Sequence, residues 1–178
     1  SKNQTLFSSL NNTPMGYALP ASIGAYFADT SRNVICITGD GGLQMNIQEL
    51  QTIIGYDIPI KIFVINNNEY GMIKQTQDVW LKSRYFSSSP KYGVTFPDIR
   101  KISNAYGIKS TSISNHNNIY GKIKDILNYK KSILCTVEIN NNEHIIPKLK
   151  FGHSIENMHP LLPIEELSDL LNVGDNIL

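Results

Sequence analysis

A chain of 178 residues is long enough for one domain with a sizeable core. Its 16 Lys and Arg against 15 Asp and Glu leave a net charge of +1, which argues against nucleic acid or an anionic membrane as the main partner. No apolar run approaches a membrane span, and no signal peptide is visible.

Cys36 and Cys135 both fall inside apolar runs and are expected to be small core residues rather than a disulfide. Reduced thiols fit a cytoplasmic protein. The chain starts at Ser1 without an initiator Met, so it is expected to be an excised piece of a longer protein. Within it, residues 1–178 are expected to form one domain, with 141–178 as a tail packing on it.

Residues 1–12 are polar with a short apolar patch and read as loop or edge strand. Residues 14–29 predict a helix rich in small residues, in which Pro20 either makes a kink or marks the true start. Residues 33–38 predict a buried strand. Leu43, Ile47, Leu50 and Ile54 share one face of a helix over 43–54, which Gly55 closes. Residues 60–65 are nearly continuous in apolar side chains, as a central parallel strand must be. A short helix over 72–80 and a mobile loop over 81–96 are expected next. A helix over 97–106 follows, with Asp98 in its first turn and Gly107 after its end. Then come a strand over 108–113, a helix over 118–129 and a strand over 132–139. Asn and Pro dominate beyond residue 140, with a late helix over 164–171. This alternation predicts an α/β fold, an open, mostly parallel sheet with helices on both faces.

Two strand ends carry chemistry. Gly39-Asp40-Gly41-Gly42 follows one apolar run, and Asn66-Asn67-Asn68 follows the next. Asp40 and Asn67 are 27 residues apart, about one strand–helix–strand unit. That spacing puts a carboxylate and an amide oxygen at the carboxyl ends of two parallel strands, where they suit a hard divalent cation and a phosphorylated ligand. Gly41 and Gly42 let main-chain amides approach a phosphate, and the following helix directs its positive end there. No lysine stands in this turn, so it is not a P-loop. Mg²⁺ held by Asp40 would supply the missing charge, with the Asn67 side chain and a nearby main-chain carbonyl as further oxygens.

Gly39-Asp40-Gly41 followed by Asn66-Asn67 resembles the signature of thiamine diphosphate-dependent enzymes. The wider run from Gly39 to Leu50, with Met15-Gly16-Tyr17-Ala18-Leu19-Pro20 upstream and Gly71-Met72 downstream, is similar to the acetolactate synthase branch. The likeness covers about residues 13–140 and is most specific over 13–75. It implies the C-terminal, diphosphate-binding domain of such an enzyme. By this resemblance Asp40, the Asn67 side chain and the main-chain oxygen of Glu69 would hold Mg²⁺. Gly39, Gly41, Gly42, Tyr70 and Gly71 would line the diphosphate of thiamine diphosphate. Met15 would wedge the cofactor into its bent form, with Thr13 beside it and Met72 near the thiazolium and substrate.

The resemblance further implies a 2-oxo acid substrate, decarboxylation and/or carboligation, and a homodimer or homotetramer. No catalytic residue is expected on this chain, because the activating glutamate belongs to a pyrimidine-binding domain of the same or another chain. Glu49 lies within the helix after the phosphate turn and is not that residue. The four histidines, His116, His144, His153 and His159, are expected at the surface.

The likeness departs at Thr76, where acetolactate synthases carry a tryptophan that shapes the substrate channel. The tail over 153–163 is similar instead to synthase-like proteins encoded with surface-polysaccharide genes. Two alternatives stay open at this point. One is the small subunit of a two-chain 2-oxo acid decarboxylase, such as sulfopyruvate decarboxylase. The other is a non-catalytic nucleotide- or metal-binding α/β module.

Overall fold

The computed structural model describes residues 4–9, 12–141, 143–149, 152 and 154–174. The chain divides into two compact units, residues 1–142 and 143–178.

In the first unit, β1 (Ile35–Gly39), β2 (Lys61–Asn66), β3 (Lys109–Ile113) and β4 (Ile133–Glu138) form a parallel sheet in the order β1-β2-β4-β3. Gly39 lies opposite Ile65, and Asn66 opposite Glu138, so the polar strand ends share one edge of the sheet. The strands alternate their side chains between two cores. Cys36, Ile62, Val64 and Leu134 face Leu19 and Ile23 of α1 (Ala18–Ala28), Leu43 of α2 (Asp40–Met45), Leu50 and Ile53 of α3 (Glu49–Gly55), and Ile99 of α5 (Ile99–Ala105). Phe63, Ile133, Cys135 and Val137 face Ile119, Ile123 and Ile126 of α6 (Ile119–Asn128). Helices therefore cover both faces. Each fully buried Leu or Ile contributes about 1.5–3 kcal/mol. The two cysteines are free, buried and in opposite cores.

The elements differ from the sequence expectation at informative places. The helix over 43–54 is two helices, α2 and α3, with a turn over 46–48. Asn46 leaves the helical conformation at φ −135° and ψ 38°, and its Nδ2 donates to the Gly16 carbonyl at 2.9 Å. A side-chain bond to a distant carbonyl competes here with helix continuation. Pro20 falls in the first turn of α1, where its missing N–H is an orphan donor in any case. The left-handed residue closing α3 is Asp57 (φ 50°) rather than Gly55, with the Ile58 N–H donating to the Ile53 carbonyl at 2.9 Å. Gly107 does close α5 in this way, at φ 80°. Asp98 is the N-cap of α5 rather than a member of its first turn, and accepts from the Arg100 and Lys101 amides.

The segment over 81–96 follows α4 (Gly71–Trp80) as a largely exposed loop anchored at a few points. It holds a 3₁₀ turn at Pro90–Tyr92, and Ser88 and Ser89 are buried. The Ser88 carbonyl accepts from the Tyr70 N–H at 2.8 Å, and the Phe86 carbonyl accepts from Gln77 Nε2 at 2.8 Å.

In the second unit, Lys148 and His159 form an antiparallel bridge, and α7 (Ile164–Gly174) extends the expected late helix by three residues. His153 lies outside the described residues, and His116, His144 and His159 are exposed. No helix among the described residues is long and apolar enough to cross a membrane.

Candidate functional site

Asp40 opens α2 at the carboxyl end of β1 and is only 2% exposed. Its Oδ1 accepts from the Gly41 N–H at 2.7 Å, and its Oδ2 accepts from the Asn68 N–H at 2.7 Å. Burial pushes the carboxyl above its ordinary value. The main-chain amides of Gly41, Asn68 and Asn67, and that of Asp40 itself, pull it partly back. No ion pair to Asp40 is formed among the described residues. A buried carboxylate served only by amide dipoles is an incompletely compensated charge.

The segment after β2 supplies the facing wall. Asn67 Oδ1 accepts from the Glu69 N–H at 3.1 Å, an Asx turn that leaves a second lone pair on that oxygen. Asn68 takes a left-handed conformation, φ 55°, and turns its amide to Asp40. Glu69 is buried, and its Oε2 accepts from Lys74 Nζ at 2.7 Å. A Cβ on Gly71 would lie 2.8 Å from Asn67 Nδ2, so a side chain there would displace the Asn67 amide.

A third segment closes the cluster. Gly16 (φ 94°) is held by Asn46, and a Cβ on Gly42 would lie 2.9 Å from Thr38 Oγ1 and 3.8 Å from the Gly16 nitrogen. A Cβ on Gly41 would lie 2.5 Å from Tyr70 Cε1 and 3.0 Å from Met15 Cε. Gly41 thus sits between the Tyr70 ring and the Met15 side chain. The Tyr70 ring in turn meets Phe96 edge-on, with centroids 5.4 Å apart.

Three chain segments, at 15–16, 39–42 and 67–71, therefore converge. Met15, Asp40, Gly41, Gly42, Asn67, Glu69, Tyr70 and Gly71 all belong to this cluster, and Gly39 is the extended residue that enters it. Thr13 is exposed with φ 35°, and Met72 is 61% exposed in the first turn of α4. Glu49 is spent locally, its Oε2 accepting from Thr52 Oγ1 at 2.8 Å.

No cluster of three His, Cys, Asp or Glu side chains exists among the described residues. A cation here would rely on one carboxylate, one side-chain amide oxygen and one main-chain carbonyl, a donor set suited to Mg²⁺ rather than to a softer metal. The buried, unpaired Asp40 fits that role. Sequence reasoning passed over Asn46, Lys74, Ser88 and Asn141, which hold the segments in place. None of them carries a local signal. A cavity of about 550 Å³ lies beside the Asn66–Asn68 turn, between the ends of β2, β3 and β4 and the start of α5.

Residues 1–137 match the family described as thiamine pyrophosphate enzyme, C-terminal TPP binding domain.

The chain belongs to this family. Thiamine pyrophosphate and thiamine diphosphate are the same compound. Among relatives, the acetolactate synthase large subunit of Porphyra purpurea is 39% identical over 153 residues, covering 86% of this chain and 26% of that protein. The isozyme 3 large subunit of Escherichia coli is 33% identical over 147 residues, covering 81% of this chain and 25% of that protein. The large subunit of Lactococcus lactis is 38% identical over 143 residues, covering 80% and 24%. The chain spans about a quarter of the length of these relatives. The α/β fold with its parallel sheet and the acetolactate synthase-like C-terminal domain both stand as the sequence implied.

Proposed function

We propose that this chain is the half-site for the Mg²⁺-bound diphosphate of thiamine diphosphate in an enzyme acting on a 2-oxo acid. The observation that carries this reading is Asp40. Its carboxylate is buried, without a cationic partner among the described residues, where a glycine turn and an asparagine turn meet. Asp40, the Asn67 amide oxygen and the Glu69 main-chain oxygen would hold the cation. Gly39, Gly41, Gly42, Tyr70 and Gly71 would border the diphosphate, whose charge the cation offsets. Bound thiamine diphosphate supplies a nucleophilic carbon and an electron sink for cleaving or joining the bond next to a 2-oxo acid carbonyl.

The protein's share is positioning. Met15, packed toward Gly41, would set the depth and bend of the cofactor, and Thr13 and Met72 would lie toward its reactive end. By the family resemblance the activating glutamate would come from a pyrimidine-binding domain of the same or another chain; Glu49 instead stands at the start of α3, bonded to Thr52. A homodimer or homotetramer in the cytoplasm would assemble such a site. Thr76 is exposed on α4 with its Oγ1 donating to the Met72 carbonyl at 3.0 Å, a small side chain where the family resemblance implies a tryptophan. Decarboxylation and carboligation are both compatible with that difference.

Calorimetry on the whole protein tests the reading. Thiamine diphosphate is expected to bind with Mg²⁺ and far more weakly with a chelator. Equal affinity for ADP with Mg²⁺ would favour a nucleotide-binding module instead.

A further inference from the structure

The Glu69 peptide is held by more groups than a surface turn requires. Its N–H donates to Asn67 Oδ1 at 3.1 Å. Its carboxylate Oε2 accepts from Lys74 Nζ at 2.7 Å, and Oε1 accepts from Asn141 Nδ2 at 3.4 Å. Lys74 Nζ also donates to the Asn141 carbonyl at 3.1 Å and lies 5.9 Å from the centroid of the Tyr85 ring. The Lys74 and Glu69 side chains are 14% and 5% exposed. An ion pair this far out of water, with further hydrogen bonds on both partners, restrains geometry more than an exposed pair does.

The next peptide link sets a direction. The Tyr70 N–H donates to the Ser88 carbonyl at 2.8 Å. A trans peptide is planar, so its C=O points opposite to its N–H. The bond to Ser88 thus turns the Glu69 carbonyl away from the 81–96 segment. The Lys74 and Asn141 contacts hold the side chain of the same residue.

We propose that Lys74 is a positioning residue for the cation, acting through the Glu69 side chain and Asn141 to hold the Glu69 main-chain carbonyl as an oxygen donor. The inference rests on the functional reading above. It also gives the end of β4 a part in the site, because Asn141 follows that strand and reaches across to the turn after β2. Outer partners of metal ligands commonly set affinity by orienting the donor rather than by touching the ion.

The test is the Mg²⁺ affinity of the whole protein, titrated calorimetrically at fixed thiamine diphosphate. Lys74→Met is expected to weaken it about 10- to 100-fold. At saturating Mg²⁺ the affinity for thiamine diphosphate should return to the wild-type value. Lys74→Arg should recover most of the loss. Because Lys74→Met strands a buried carboxylate, the double variant Glu69→Gln/Lys74→Met serves as a second probe with no unpaired charge. It is expected to fold and to show the same Mg²⁺ defect. A folded double variant with wild-type Mg²⁺ affinity would overturn the positioning role while leaving the functional reading intact. A wild-type protein without any Mg²⁺-dependent affinity for thiamine diphosphate would overturn both.

Discussion

The main-chain amide of Asn68 donates to Asp40 Oδ2 at 2.7 Å across 28 residues of chain. One bond joins the turn after β1 to the turn after β2, and it does so through a buried carboxylate. The carboxylate is thereby oriented before any ligand arrives, which lowers the ordering cost of binding one.

Asp40→Ala removes that carboxylate. Magnesium-dependent affinity for thiamine diphosphate is expected to fall by at least about 100-fold, the upper end of what losing an outer-shell partner costs. Calorimetry with and without Mg²⁺ checks this. Undiminished affinity in the variant would count against Asp40 as a ligand.

Gly41→Ala would push a methyl group to 2.5 Å from the Tyr70 ring edge. Overpacking of this kind costs about 1–3 kcal/mol, read as a drop in the urea midpoint. Tyr70→Leu in the same chain should relieve much of it, and the double-mutant cycle measures the coupling. Independent, additive effects would show that the ring yields without strain.

Two other glycines should respond in opposite directions to the same change. Gly24 lies within α1 with nothing near its Cβ position, so Gly24→Ala should stabilise the protein by about 0.5–1 kcal/mol. Gly16 has φ 94°, and a Cβ there would lie 2.7 Å from Asn46 Nδ2 and 2.8 Å from Met45 Cβ. Gly16→Ala should therefore destabilise, by more than about 1 kcal/mol. Thermal melts of the two variants decide the matter.

Lys61 begins β2, is 4% exposed, and its Nζ donates to the Pro59 and Lys131 carbonyls, each at 2.8 Å. Burial, and then the nearby charge of Lys130, lower its pKa below the ordinary 10.5. Between the lowered value and 10.5 the unfolded chain binds more protons than the folded one, so stability rises with pH across that window. This contribution is complete above 10.5 and is lost as pH falls through the folded value. Lys61→Met should flatten the rise in urea stability measured at a series of alkaline pH values. An unchanged slope would assign it to other groups.

On the proposed reading the activating glutamate comes from a pyrimidine-binding domain, so residues 1–178 purified by themselves are expected to show no turnover of pyruvate. Measurable carbon dioxide release by the purified chain would place the activating acid here.

Much of the site was legible because its signals are local. Apolar runs ending at Thr38 and Ile65 mark buried strands, and Gly-Asp-Gly-Gly and Asn-Asn-Asn mark the turns that follow them. The split of the 43–54 helix was not legible, because Leu43, Ile47, Leu50 and Ile54 keep helical spacing across the break. What interrupts the helix is a hydrogen bond from Asn46 to Gly16, 30 residues away. The segment over 81–96 reads as loop from its serines and is one, but the anchoring of its carbonyls to amides on and before α4 was not legible.

By itself, the sequence determined which residues stand at the ends of the parallel strands, since strand period and turn chemistry act between near neighbours. Only the tertiary structure decided how those ends are held. Lys74 meets Asn141 across 67 residues, and Asn141 meets Glu69 across 72. Hydrogen bonds of that kind follow no periodicity, so they become visible only once the sheet has brought the ends of β2 and β4 side by side.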